Sequence, residues 1–137
     1  MNMIEINAIV ESSLQKVWLC WTQPLHIMNW NFADDDWHCP SSSNDLNVGG
    51  EFHYQMEARD GSMNFDFWGR YEVVQHEKLL IAVLGDGRRL EVEFVQLEHG
   101  VQVTERFEPE QMNPEEMQRM GWQMILNRFA GYCEGVK

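Results

Sequence analysis

Chemistry in this chain has to come from titratable groups held in apolar company, because burial is what moves a carboxyl, imidazole or thiol towards a reactive pKa. Glu105 is the leading such residue. It falls in the alternating register of Val101, Val103 and Phe107, so a strand there turns its carboxylate the same way as three apolar side chains. An enclosed carboxylate of this kind can act as general acid or base on a bound molecule. The plain alternatives are a frayed strand end or a satisfied structural ion pair. Arg70 is the candidate partner, since a bulge at Gly69 would turn it to either face, and Tyr54 is a second candidate for orienting the carboxyl.

The other reactive residue types are less suggestive. His53 alternates with the apolar residues of its own segment and so belongs to an outer face, while His26, His76 and His99 sit on a helix edge and in turns. His38 and Cys39 follow the acidic run Asp34 to Asp36, but they show neither the helical i, i+4 pairing nor the cysteine spacing of a zinc site. The run also lacks the glycine and terminal glutamate of a calcium loop. No metal and no cofactor is therefore expected. A nucleophile elbow and a glycine-rich phosphate loop are both missing from the sequence, and Ser41 to Ser43 reads as a loop.

Binding is the better-supported chemistry. Met117, Met120 and Met124 recur at helical spacing, and they face either plain core or an adaptable pocket opposite Tyr54, Met56, Phe65 and Phe67. Leu90 and Val92 share the inward register of a neighbouring strand. Trp30, Phe32 and Trp37 come from irregular chain and are placed as a mouth or lid, whereas Trp18, Trp21 and Trp122 read as structural.

The elements that must position these residues follow from periodicity. Met1 to Val10 alternates as a half-buried strand, ending at Glu11. Ser12 with Gln15 forms a capping box before a helix over 13–22, and Pro24 then opens a further short helix. Trp37 to Cys39 is a short strand candidate, followed by a polar loop in which Gly49 and Gly50 permit positive φ. Period two returns in Phe52, Tyr54, Met56 and Ala58, turns at Asp60 and Gly61, and continues through Met63, Phe65, Phe67 and Tyr71. Leu79 to Leu84, Arg88 to Leu97 and Val101 to Phe107 complete an antiparallel meander. Asn113 as cap, Pro114 at the first position and Glu116 then specify a long helix from Asn113 to Glu134. Its apolar stripe of Trp122, Ile125, Leu126, Phe129 and Cys133 is the cover the sheet requires, and the methionines form a second stripe beside it. The expected class is α+β: a curved antiparallel sheet of six or seven strands around a long C-terminal helix, in one domain over 1–137.

Composition narrows the partners. A formal net charge of −12 with no Lys/Arg cluster opposes binding to nucleic acid. No stretch is apolar for long enough to insert in a bilayer, and the three cysteines match no disulfide framework, which together predict a cytoplasmic protein with reduced thiols. Leu79 to Leu84 is apolar in both registers, and Trp68 and Val74 oppose the inward face. The sequence thus predicts a homodimer through the outer sheet face or an edge strand, the alternative being that the first strand or short helices cover those residues.

Val17-Trp18, Trp21-Thr22, Pro24 and Trp30, then Val48-Gly49-Gly50-Glu51-Phe52, the Asp60-Gly61 turn, and Gly121-Trp122 with Leu126 together carry a resemblance. In this order and spacing they resemble the family of proteins similar to the activator of Hsp90 ATPase, within the START-like (SRPBCC) superfamily. Trp30 stands alone between Asn29 and Asn31 where many members carry paired tryptophans. The resemblance implies a helix-grip fold with an internal cavity for a small apolar or amphipathic molecule, and it implies no particular reaction. Contact with a chaperone is the second function it suggests, and a cyclase-like or hydrolase-like enzyme using a cavity carboxylate the third.

Overall fold

The computed structural model describes residues 3–136, so the alternation read from Met1 is described from the third residue onward. Seven strands form one antiparallel sheet: β1 (Ile4–Val10), β2 (Trp37–Asn44), β3 (Glu51–Ala58), β4 (Asn64–Gln75), β5 (Leu79–Leu84), β6 (Arg89–Leu97) and β7 (Gly100–Phe107). Between β1 and β2 come α1 (Leu14–Thr22) and α2 (Pro24–Ile27), and α3 (Glu115–Gly135) closes the chain. The spatial order β1-β7-β6-β5-β4-β3-β2 is a meander from β2 to β7, with β1 returning antiparallel to β7. The curled sheet grips α3 as a half-barrel, and the inward register is the one the alternation predicts. Ile4, Ile6, Phe52, Tyr54, Val92, Phe94, Val101, Val103 and Phe107 are all buried against Leu126, Phe129 and Cys133 of α3.

An open sheet leaves two rows of unpaired backbone groups at its edges. Helices cover both. Arg119 and Gln123 of α3 donate to the carbonyls of Glu5 and Asn7 on β1, at 2.8 and 3.1 Å. On the far edge the Ser42 hydroxyl donates to the Pro24 carbonyl and the Asn44 amide to that of Thr22, both at 2.7 Å. Residues that read as a polar helix margin and a serine loop are thus the ties that curl the sheet around its contents.

Several local expectations are corrected. Ser41 to Ser43 is strand, because a register shift between His38 and Ser41 steps the chain past Pro40 and resumes pairing with β3. The α1 cap is Ser13, whose hydroxyl accepts from the Lys16 amide at 3.2 Å, one residue later than the capping box implied. At α3 the cap position is Pro114 and Asn113 caps nothing. Asn113 instead donates through its backbone and side chain to Glu110, and buried Gln118 bonds the Glu110 backbone and the Asn113 carbonyl. Of the two adjacent glycines only Gly49 is left-handed, with φ at 85°, while Gly50 is small because Asp45 presses against it. Gly69 is not a bulge. It pairs regularly with Phe52 and Leu84, and the irregularity lies at Glu72, between Tyr71 and Val73. A Cβ on Gly69 would lie 2.8 Å from the Phe52 ring, so the glycine is there to seat an aromatic side chain.

Candidate functional site

Between the inner face of the sheet and α3 the packing does not close. A cavity of about 270 Å³ remains, lined from β3 by Phe52, Tyr54 and Met56, from β4 by Phe65, Phe67 and Tyr71, and from α3 by Trp122 and Ile125. Trp21 of α1, Trp30 and Asn31 after α2, Arg88 and Leu90 at the start of β6, and Glu105 of β7 complete the wall. The gap has a mechanical cause. Trp122 lies flat on Phe107, with ring centroids 3.9 Å apart and planes at 13°, while its edge meets Phe67 at 5.8 Å. Trp21 and Trp30 pack against Phe129 at 4.8 and 4.9 Å. Bulky rings propped on one another in this way hold α3 off β3 and β4.

Glu105 stands in the wall as its register predicts, opposite Ile6 on β1 and Val92 on β6, and only 6 % exposed. Its carboxyl is pushed up to about 8 by burial alone, with no charge or hydrogen bond contributing among the described residues. Burial thus favours its protonated form, and the side chain lines the cavity without a hydrogen-bond partner among the described residues. Arg70 does not reach it: that side chain points outward and pairs with Glu51 at 3.0 Å, because regular pairing at Gly69 keeps the alternation intact. Tyr54 shares the cavity but engages the other side, beside Tyr71, whose hydroxyl donates to the Asn44 side-chain oxygen at 2.7 Å. Burial raises both phenols, Tyr71 to about 12. Arg88 is likewise turned away, to Asp86 at 2.8 Å and the Glu108 carbonyl at 3.1 Å.

The structure brings together Trp30, Tyr54, Met56, Phe65, Phe67, Leu90 and Glu105 from the residues singled out in the sequence. It leaves out six others. Val92 is plain core, 3 % exposed. Phe32 is buried beneath the Arg128 guanidinium, 4.5 Å from its ring, and Trp37 packs on Phe65 from outside the wall. Met117, Met120 and Met124 stand on the solvent side of α3, 59, 59 and 44 % exposed, because the helix rolls its Leu126 and Phe129 stripe onto the sheet and turns the methionines away. Conversely, Trp21 and Trp122, read as structural, do line the space, as do Phe52, Tyr71, Ile125, Asn31 and Arg88. The signal for Asn31 was its place beside Trp30. For Phe52 and Tyr71 it was their shared register with Tyr54 and Phe67.

The histidines keep away from this site. His53 is on the outer face, between Asp66 at 2.7 Å and Glu51 at 2.9 Å, and stacks on Trp68. His26 is half-buried rather than exposed, with its Nδ1 2.7 Å from the Tyr132 hydroxyl. Among the described residues no group of three or more histidine, cysteine, aspartate or glutamate side chains converges as a metal site would need. Nor is any described helix long and apolar enough to cross a membrane.

Comparison with known proteins agrees with the geometry. The family model described as "Activator of Hsp90 ATPase homolog 1-like protein" matches residues 11–134. The solution structure of an AHSA1-like protein from Aeromonas hydrophila is 40 % identical, covering 96 % of this chain and 92 % of that one, with a TM-score of 0.91. A solution structure from Cytophaga hutchinsonii is 42 % identical over 98 % of this chain and 93 % of that one, with a TM-score of 0.85. A Chromobacterium violaceum crystal structure at 19 % identity, covering 99 % of this chain and all of that one, repeats the fold with a TM-score of 0.87. No curated protein matches the chain.

Proposed function

Because the chain belongs to the family of activator of Hsp90 ATPase homolog 1-like proteins, and because its sheet and last helix enclose an aromatic cavity, we propose that it binds a small apolar or amphipathic molecule there. The observation that carries this reading is the cavity of about 270 Å³ with a largely apolar, ring-lined wall. Small-molecule sites are concave and apolar with a few placed polar groups, and an engineered apolar cavity of about 150 Å³ already takes benzene. The ligand is thus a compact molecule of one to two rings, not a long lipid chain. Replacing Ile125 with Trp should fill part of the cavity and lower the affinity for an apolar naphthalene fluorophore at least tenfold in a folded protein, whereas Met120→Glu, on the solvent side, should leave it within twofold. The reverse pattern would remove the cavity from the function.

Contact with a chaperone is the second reading, supported by the family and by the exposed methionine face of α3. Retention on a purified Hsp90-type chaperone that Met117→Glu with Met120→Glu abolishes is its expected signature. An acid/base role for Glu105 on the bound molecule is compatible with its enclosure, and loss of turnover in Glu105→Gln with binding kept would identify it.

A further inference from the structure

The cavity wall is not uniformly apolar, and two of its polar side chains are alike in lacking a partner. Glu105 presents a carboxyl, and Asn31, 7 % exposed, presents a carboxamide, and neither side chain has a hydrogen-bond partner among the described residues. Polar groups at such a wall depend for partners on whatever fills the space, and none of these side-chain polar atoms is sealed off. Retaining two of them in one small space is explained if the occupant supplies the partners. The surrounding rings add a second preference, because aromatic faces carry the negative side of the quadrupole and so attract cations. The net charge of −12 adds a third, drawing cations towards the protein and repelling anions.

Building on the binding function above, we infer that the cavity selects a compact aromatic or alicyclic molecule carrying a basic nitrogen, which pairs with the Glu105 carboxylate while a second polar atom meets the Asn31 amide. On binding, the Glu105 proton is lost to solvent and the ligand's ammonium donates to the resulting carboxylate, a charge-assisted bond stronger than a neutral one. Arg88, the cation in the wall, does not compete, because Asp86 and the Glu108 carbonyl hold it. Nothing in the wall offers a free cation to an anionic ligand.

Three probes of one shape test this: 1-naphthylmethylamine, 1-naphthylmethanol and 1-naphthoic acid, titrated by calorimetry at pH 7.5 into wild-type protein and Glu105→Gln. The expected order in wild type is amine, then alcohol, then acid, with the amine at least tenfold tighter than the alcohol and its binding releasing a proton to buffer. In Glu105→Gln the amine should weaken at least tenfold and the alcohol change by less than threefold. An alcohol that binds wild type as tightly as the amine, or equal losses for both in the variant, overturns the basic-nitrogen ligand and leaves the cavity function standing. Failure of all three to bind overturns both. The wild-type comparison needs no variant, so a poorly folding Glu105→Gln would not shield the inference.

Discussion

Glu105 shows what a single residue contributes when its surroundings are apolar. Its carboxyl titrates near 8 in the folded chain against the ordinary value of 4.5, so between those limits the folded state holds a proton that the unfolded state has released. Stability must therefore fall as pH rises through that window, and the total is on the order of 5 kcal/mol. Below about pH 4.5 the carboxyl is protonated in both states and the penalty vanishes. Glu105→Gln, which keeps shape and removes the titration, should match wild type near pH 4 and exceed it progressively towards pH 8 in urea unfolding. Parallel stability curves for the two proteins would show that the carboxyl finds solvent or a partner. This residue was legible because one register fixes three neighbours: Val101, Val103 and Phe107 announce where position 105 points. Arg70 was misplaced for the converse reason, since a glycine in a strand signals both a bulge and a close approach, and the sequence does not separate them.

At the scale of elements, the strands and the closing helix follow from period and turn chemistry, and all but β2, which runs on to Asn44 instead of ending at Cys39, have bounds close to the expected ones. What periodicity cannot supply is the roll of a helix. Two apolar stripes lie side by side on α3, and only packing decides that Leu126 and Phe129 face inward while Met117, Met120 and Met124 face water. The serine segment of β2 was hidden for a different reason: its side chains bond to α2 rather than to a core, so no hydrophobic alternation marks it. Gly69 links element to site. Its replacement by alanine sets a Cβ 2.8 Å from the Phe52 ring and 2.9 Å from the Val83 carbonyl, and the ring can yield only into the cavity. Gly69→Ala should cost about 1–3 kcal/mol in denaturant unfolding and weaken fluorophore binding together. An unchanged midpoint with unchanged binding would mean that Phe52 moves freely, against the packing described.

For the whole molecule, tying both sheet edges to helices has a consequence for association. Edge pairing between copies is obstructed at β1 by Arg119 and Gln123 and at β2 by the links to Pro24 and Thr22. The homodimer expected from the sequence retains only the outer sheet face, and there Trp68 is already stacked with His53 and Val74 packs against the core. Ile9 and Val95, 57 and 40 % exposed on either side of Gln102, are the apolar residues left to pair. A dimer through this face should be dissociated by Ile9→Glu and not by Trp68→Glu in sedimentation equilibrium, and a single species at the monomer mass of 16.2 kDa would remove it.

If the space between sheet and α3 is where a small molecule goes, the methionines report on it without any substitution. Met56 lines that space, whereas Met117, Met120 and Met124 lie on the far side of the helix that closes it. With the methionine methyls labelled with carbon-13, titration of 1-naphthylmethylamine followed by NMR should shift the Met56 resonance with saturation and leave those of Met117, Met120 and Met124 in place. Saturable shifts of the three helix methionines with Met56 unmoved would put the ligand on the outer face of α3 and not in the cavity.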